Sequence, residues 1–203
     1  MQAASPSLSA ENLACRRGER LLFRRLSFRL EAGAACHVTG ANGAGKTTLI
    51  RALAGLTTPF AGAVRREGAL ALLDERSGLD PDLPLGRALA FWFGVDGAPE
   101  GQAIITRLRL DALAEVPVRY LSTGQKKRAA LARVLGQKAA IWLLDEPLSG
   151  LDTASQGLVS ALVREHCAAG GIALIASHQP LEVPGMSAFA IEGFAPADQE
   201  EEA

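Results

Sequence analysis

One stretch constrains the fold more than any other: a glycine-rich loop between a short apolar segment and a helical pattern. The loop reads GANGAGKT over residues 40–47 and matches G-x-x-x-x-G-K-[ST] at every fixed position. The preceding AACHVTG is typical of a buried strand, and Leu49, Ile50 and Leu53 share one face of a predicted helix. Strand, loop and helix in this order predict a phosphate-binding α/β unit.

The chemistry of this loop suits a triphosphate. Its glycines let the backbone turn tightly, so that successive N–H groups point at phosphate oxygens, and the following helix adds partial positive charge. Lys46 can reach the β and γ phosphates, and the Thr47 hydroxyl can ligate Mg²⁺. We therefore predict that the chain binds a nucleoside triphosphate. The predicted phosphate-binding residues are Gly40, Ala41, Asn42, Gly43, Ala44, Gly45, Lys46, Thr47 and Thr48.

A second apolar segment, IWLLDEP, ends in two carboxylates. Asp145 stands at the end of a predicted buried strand, where a phosphate loop needs a further metal-holding group. Glu146 follows it and is placed to polarise the attacking water as general base. An acidic pair that closes a strand can also be a solvated turn, but the phosphate loop favours the metal site.

Apolar segments alternate with helical ones along the chain, which favours an α/β fold on a largely parallel sheet. The predicted strands are LSFRL (26–30), AACHVTG, ALALL (69–73), IWLLD (141–145) and IALIAS (172–177). The predicted helices cover about 84–93, 99–110 and 153–169, besides those after the two loops. We predict a single domain over residues 1–203, a helical lobe at about 76–135, and a disordered acidic tail at about 195–203.

Composition excludes several classes of protein. The 21 Lys and Arg residues against 22 Asp and Glu give a net charge of −1, so no overall field attracts nucleic acid or anionic lipid. Three widely spaced cysteines without a C-x-x-C pair favour reduced, buried thiols in a cytosolic compartment. The chain has no signal-peptide pattern and no apolar run of bilayer length, so we expect membrane association only through a partner.

The stretch YLSTGQKKRAALARVL has two interpretations. Ser122 and Gln125 form the S-x-x-Q pattern of a helix capping box. In the structural interpretation Ser122 caps the helix, and Lys126, Lys127 and Arg128 are solvated. Cations in a first turn oppose the helix dipole, however, which suggests that an anion binds there at times.

Five motifs together resemble the ABC-type ATPase domain. They are GANGAGKT, LSTGQ at 121–125, LLDEP at 143–147, SGLD at 149–152, and His178. The resemblance covers about residues 8–192 and implies a P-loop NTPase fold with a mainly parallel core sheet, a small antiparallel β subdomain and an inserted helical lobe. It implies ATP and Mg²⁺ as cofactors and a second copy of the chain as partner.

The resemblance also implies roles for individual residues. Two copies would pair head to tail around two ATP molecules, so that Ser122, Gly124 and Gln125 meet the triphosphate held by the Lys46 of the other copy. His178 resembles the family's switch histidine, which bonds the γ-phosphate. Asp152 matches the loop that communicates between the two sites.

Two positions depart from the family pattern. Where the family usually stacks an aromatic residue on adenine, this chain has Arg16 and Arg17. A guanidinium can also stack on a ring, so we expect Arg17 to bind the base with weaker selectivity, solvated arginines being the alternative. At the usual place of a metal-linked Gln the chain has Glu75, with Arg76 beside it. Glu75 could ligate Mg²⁺ with Thr47 and Asp145 but would repel phosphate.

The phrases LSTGQKKRAALARV and GGIALIASHQPL resemble the cytochrome c maturation branch of the family. That branch implies work at the cytoplasmic face of the inner membrane, with integral membrane transporter subunits, in haem export or release of haem-loaded chaperone. We expect no nucleic acid partner and no direct haem ligation. The alternatives are a compact ABC transporter with another cargo, or a soluble ABC-type ATPase on nucleic acid or ribosomes. Residues 74–95 are the candidate docking surface for a membrane subunit.

Overall fold

The computed structural model describes residues 5–196 and contains two sheets and five α-helices within that range. The strands are β1 (Ser7–Arg17), β2 (Arg20–Glu31), β3 (Ala35–Thr39), β4 (Ala61–Glu67), β5 (Leu70–Leu73), β6 (Ile141–Asp145), β7 (Ile172–Ala176) and β8 (Ser187–Ala190). The helices are α1 (Lys46–Ala54), α2 (Leu85–Asp96), α3 (Gly101–Arg107), α4 (Thr123–Gly136) and α5 (Thr153–Ala168).

The larger sheet has five parallel strands in the order β5-β6-β7-β3-β8. Because the strands are parallel, all their carboxyl ends lie at one edge. The loops that follow β3, β6 and β7 therefore bring the phosphate loop, Glu146 and His178 to the same place.

Alternating residues of the parallel sheet enter two separate cores. In β6, Ile141 and Leu143 pack with α1 and the antiparallel sheet, whereas Trp142 and Leu144 pack with α2 to α5. Successive side chains of a strand point to opposite faces, so a strand covered on both faces is apolar throughout. This explains why IWLLD reads as one continuous apolar run.

The smaller sheet is antiparallel, in the order β2-β1-β4. The sequence located only residues 26–30 of β2 and did not locate β1, β4 or β8. β4 and β8 are mostly exposed, so neither carries a strong apolar pattern, and β1 is interrupted by register shifts after Ala10 and Leu13.

The predicted helices are confirmed, with α3 ending at Arg107 rather than near residue 110. The capping box at the start of α4 is also confirmed. Ser122 Oγ accepts from Gln125 N at 3.3 Å, and Ser122 N donates to Gln125 Oε1 at 2.8 Å.

The remaining structural predictions concern the cysteines, the helical lobe and the acidic tail. All three cysteines are buried and free, as predicted. The limits of the helical lobe stay a prediction, and most of the acidic tail, residues 197–203, lies outside the described residues. Within residues 5–196, no helix combines the length and the apolar character that a membrane span requires.

Candidate nucleotide-binding site

The phosphate loop joins β3 directly to α1. Gly45 is the N-cap of α1 and has a φ of 112°, a conformation that side chains rarely adopt. A methyl group there would also lie 3.2 Å from atoms of Leu22 and Phe23, so β2 supports the loop from behind. The local backbone therefore requires the last glycine of the motif.

Lys46 is the buried cation of the site. Its side chain is 6% exposed, and Nζ donates to Gly40 O at 2.6 Å and to Ala41 O at 3.1 Å. The same Nζ lies 3.9 Å from Glu146 Oε1. The ammonium is thus held inside the loop by carbonyl oxygens that an incoming phosphate oxygen could replace.

Asp145 ends β6 and lies against the start of α1. It is 4% exposed, and burial raises the pKa of its carboxyl group, while a hydrogen bond with the Thr47 side chain opposes that shift. Within the described residues, Asp145 Oδ1 is buried and has no hydrogen-bond partner. A buried carboxylate oxygen without a donor, beside a hydroxyl, is a suitable ligand pair for a hard cation or its water.

Glu146 is held by the end of β7. Its backbone is left-handed, with a φ of 46°, and its N–H donates to Ala176 O at 2.8 Å. Its Oε2 lies 2.9 Å from His178 Nδ1 and accepts from Ser177 Oγ at 3.4 Å. Lys46, Glu146 and His178, three of the predicted site residues, therefore form one connected group.

A cavity of about 240 Å³ adjoins this group. It is lined by Arg17, Leu22, Asn42, Gly43, Gly45, Lys46, Thr47, Thr48, Glu75 and Glu146. Arg17 and Glu75, the two departures from the family pattern, thus both face the phosphate loop. The neighbouring Arg16 lines a further cavity with Thr47 and Thr48, and its guanidinium lies 5.2 Å from the ring centroid of Phe60, an exposed aromatic residue that sequence reasoning missed.

The motifs LSTGQ and SGLD contact each other rather than this cavity. A methyl group at Gly124 would lie 2.6 Å from Gly150 O, so the backbones approach closely. Asp152 is the N-cap of α5 and accepts from Ser155 N at 2.7 Å, a bond that lowers the pKa of the carboxyl group. Ser122, Gly124 and Asp152 are absent from the lining of the Lys46 cavity.

The basic triplet has partners inside the chain. Lys126 Nζ donates to Arg119 O at 3.2 Å, and Arg128 Nη1 donates to the carbonyls of Leu108 and Arg109 at 2.9 and 3.0 Å. The expectation that all three side chains are solvated is therefore wrong for Arg128, which holds the end of α3. No external anion is needed to explain these contacts.

Lys127 points toward the carboxylates of the site. It is half-buried and lines a cavity of about 370 Å³ that also contains Glu75 and Glu146. Burial lowers the pKa of its ammonium group, and the charges of Asp145 and Glu146 oppose that shift. The helix that begins with LSTGQ therefore reaches the phosphate-loop site of its own chain through one lysine.

The fold and this site define a class of protein: a phosphate-loop ATP-binding domain of the ABC type. The sequence profile of the ABC transporter family matches residues 23–149. An ABC transporter ATP-binding protein from Pyrococcus furiosus superimposes with a TM-score of 0.80, covering 94% of this chain and 100% of that one at 21% identity. A metal-chelate type ABC transporter in an inward-facing conformation gives a TM-score of 0.72, covering 91% and 79% at 24% identity.

Curated relatives are more similar. A protein from Novosphingobium aromaticivorans is 54% identical, over 93% of this chain and 97% of its own length. Another from Zymomonas mobilis is 47% identical, over 92% and 85%. Both are named cytochrome c biogenesis ATP-binding export protein CcmA. The chain belongs to the ABC transporter family and, within it, to the family of these CcmA proteins. The predicted family and fold class are confirmed.

Proposed function

We propose that this chain is the ATP-hydrolysing subunit of an ABC transporter for cytochrome c maturation, in which hydrolysis drives haem export or the release of haem-loaded chaperone. The observation that carries the ATPase part is the connected group of Lys46, Asp145, Glu146 and His178 beside the phosphate loop. The cargo is supported by the names of relatives that match nearly the whole chain.

The loop and Lys46 bind the phosphates. On ATP binding, Lys46 Nζ exchanges the carbonyl oxygens of Gly40 and Ala41 for β- and γ-phosphate oxygens. The backbone N–H groups from Gly43 to Thr48 hold the remaining oxygens at the N-terminus of α1. Arg17, which lines the same cavity, is the candidate to stack on the base.

Thr47 and Asp145 are the residues that would hold Mg²⁺, and Glu75 is the third candidate. Asp145 fits best, since its unpartnered Oδ1 lies buried at the strand end. When bound, the metal neutralises charge on the phosphate oxygens. Glu75 lines the same cavity as Thr47, and its negative charge is balanced in part by Lys127, with which it lines the neighbouring cavity.

Glu146 serves as general base. Its carboxylate accepts from Ser177 and pairs with His178, so its direction is fixed before the nucleotide binds. A water between Glu146 and the γ-phosphate would lose a proton to this carboxylate as its oxygen bonds the γ-phosphorus, while the bond from that phosphorus to the β,γ-bridging oxygen breaks and ADP leaves. His178, half exposed beside it, is free to bond the γ-phosphate.

The catalytic site is completed by a second copy of the chain. Ser122, Gly124 and Gln125 start α4, where exposed N–H groups and the helix dipole favour an anion. Gly124 approaches Gly150 of the SGLD loop, and none of the three residues lines the cavity beside Lys46 of the same chain. A head-to-tail dimer would place them, with Asp152, against the triphosphate of the other copy.

The membrane partner is expected on α2. Phe91 and Val95 are 61% and 62% exposed, and a cavity of about 210 Å³ beside Phe91 is lined by Gly78, Asp80, Leu83, Ala88, Phe91 and Trp92. Exposed apolar side chains around a groove suit an apolar segment of an integral membrane subunit. The chain would then act as a peripheral protein at the cytoplasmic face of the inner membrane.

The test is a mild-detergent pull-down of the tagged chain from membranes, with partner identification and a haem absorbance spectrum. Integral membrane subunits together with haem would support the proposal. A membrane partner without haem would retain the ATPase role and reject the cargo. Recovery only as a soluble protein on nucleic acid or ribosomes would reject the transporter class.

A matched pair of variants makes this test sharper. Phe91→Asp with Val95→Asp should abolish capture of the membrane subunits and leave ATP binding unchanged. Leu56→Asp, at a similarly exposed leucine after α1, is the control and should leave both the capture of membrane subunits and ATP binding unchanged. Capture that survives both substitutions on α2 would contradict the docking surface.

A further inference from the structure

Glu192 contacts the phosphate loop and lies outside the five motifs identified in the sequence. It lies in a 3-10 helix, Ile191–Phe194, directly after β8 and beyond the segment that the family profile matches. β8 pairs with β3 so that Ala190 is opposite Thr39. The residues that follow each strand, Glu192 and Ala41, are therefore adjacent although they are far apart in sequence.

The contact involves the first peptide group of the loop. Ala41 N donates to Glu192 Oε1. A methyl group at Gly40 would lie within 2.8 Å of both carboxylate oxygens and of Ile191 Cγ2, so the segment packs tightly against the loop. This hydrogen bond lowers the pKa of the Glu192 carboxyl group, which is thus ionised at neutral pH.

The same peptide group also contacts Lys46. Its N–H donates to Glu192, and its carbonyl oxygen, Gly40 O, accepts from Lys46 Nζ at 2.6 Å. A peptide that donates to an anion and accepts from a cation is polarised, and each hydrogen bond strengthens the other. The chain of contacts therefore runs from Glu192 through one peptide to the phosphate-binding lysine.

Glu192 lies on the outer side of the loop. It lines a cavity of about 280 Å³ with Arg20 and Ala41; the adjoining cavity shares Leu22, Asn42 and Gly43 with it and is lined by Lys46, Thr47 and Glu146 but not by Glu192. Its carboxylate therefore does not occupy the space predicted for phosphate. A contact behind a binding loop restricts the loop without competing with the ligand.

We propose that Glu192 is a positioning residue of the ATP site: its carboxylate fixes the Gly40–Ala41 peptide and, through it, the phosphate loop and Lys46. This inference rests on the proposed ATP-binding function. Because the contact exists before the nucleotide binds, its loss affects nucleotide affinity, and the chemical step, which depends on Glu146, changes little.

The experiment compares three substitutions by nucleotide titration and by steady-state hydrolysis. Glu192→Ala should raise the Kd for both ATP and ADP by about tenfold and change kcat by less than about twofold, as expected for loss of a charged hydrogen bond that acts equally in ground and transition states. Glu192→Gln keeps an acceptor oxygen and should restore binding to within about threefold of the unmodified chain. Glu192→Asp keeps the charge on a shorter side chain and should resemble Glu192→Ala.

Several outcomes would overturn the inference. They are an unchanged Kd in Glu192→Ala, a Glu192→Gln variant as weak as Glu192→Ala, or a Glu192→Asp variant that binds normally. Glu115→Ala, at an exposed glutamate elsewhere, is the control, and thermal unfolding verifies the fold of each variant. If Glu192→Ala does not fold, the other two variants still test the inference: Glu192→Gln keeps the acceptor oxygen in place without the charge, and Glu192→Asp keeps the charge on a shorter side chain. Failure of the unmodified chain to bind ATP would reject the proposed function, whereas normal binding by the chain and by Glu192→Ala rejects only the role of Glu192.

Discussion

The phosphate-loop site and the LSTGQ turn differ in how much of their chemistry one chain completes. At the phosphate loop, three strand ends bring Lys46, Asp145, Glu146 and His178 together; Lys46 Nζ bonds the loop carbonyls and Glu146 bonds His178, while the buried Asp145 Oδ1 has no partner among the described residues. At the LSTGQ turn, the Ser122 hydroxyl caps its own helix and contacts no part of that site. In the proposed head-to-tail dimer, the phosphate loop is thus the preassembled half of each catalytic site, and the LSTGQ turn of the second copy is the other half.

The largest effect is expected at Glu146, the proposed general base of the preassembled half. Glu146→Gln should lower kcat by at least about 100-fold, since a carboxamide cannot accept the proton of the attacking water. ATP binding should stay within about twofold, because Gln keeps an oxygen for Ser177 and fills the same volume. The measurements are phosphate release and nucleotide titration, with gel filtration to detect an ATP-stabilised dimer.

Glu115→Gln is the matched control for that variant and should behave like the unmodified chain. Hydrolysis by Glu146→Gln at a near-normal rate would show that the base lies elsewhere. An ATP-dependent dimer in this variant alone would support the idea that hydrolysis separates the two halves.

Lys46→Ala tests how the same half binds ATP before hydrolysis. It should raise the Kd for ATP by about 30-fold, because the phosphates lose the charge-assisted partner that is buried inside the loop. Lys138→Ala removes an exposed lysine that pairs with Glu100 and should leave the Kd unchanged. Equal Kd values for both variants, measured with a fluorescent nucleotide, would contradict the phosphate-binding role.

Ser122 separates the two regions, because its cap can be kept while its contact with a triphosphate is lost. Ser122→Asp retains a good N-cap and should unfold at nearly the normal temperature, yet the added negative charge should lower kcat about tenfold. Ser122→Ala loses the cap as well and should cost about 1 kcal/mol of stability. Normal activity in Ser122→Asp would mean that Ser122 is only a cap.

Mixing the two impaired variants, at an ATP concentration that does not saturate Lys46→Ala, tests directly whether Lys46 and Ser122 of different chains form one site. In a head-to-tail dimer of one Lys46→Ala chain and one Ser122→Asp chain, one of the two sites has both residues intact. The mixture should therefore recover about a quarter of normal activity when the chains associate at random. No recovery would mean that Ser122 and Lys46 act within one chain.

Local sequence was sufficient for the parts of the site that depend on short-range backbone geometry. The phosphate loop follows from glycines at fixed spacing between strand and helix, and the capping box follows from Ser122 and Gln125. The parallel sheet followed from apolar segments that are buried on both faces, such as IWLLD.

Contacts between distant segments could not be predicted in this way. Glu192 reaches Ala41 only because β8 pairs with β3, and nothing in IEGF indicates that pairing. Arg128 likewise bonds the end of α3 only because the fold packs α3 against α4, although its position in a first turn suggested a solvated side chain. Exposed strands such as β4 give too little apolar alternation to be found.

The smallest effect is expected at Lys127, a half-buried residue of α4 that lines a cavity with Glu75 and Glu146. Glu75 adds a negative charge near the phosphates, and Lys127, in the adjoining cavity, offsets it. Lys127→Gln should raise the KM for ATP about threefold at low salt and less at high salt, because screening weakens charge repulsion. Lys126 lines the same cavity but is exposed and bonds the Arg119 carbonyl, so Lys126→Gln should have less effect.

A double-mutant cycle decides whether Lys127 acts through Glu75. Glu75→Gln removes the charge that Lys127 offsets, so adding Lys127→Gln to that variant should change KM by less than about 1.5-fold. Additive effects would mean that Lys127 acts on the phosphates or on Glu146 independently of Glu75. With coupling, a change at Glu75 would reach the start of α4, and the two regions would be linked within one chain before a second copy binds.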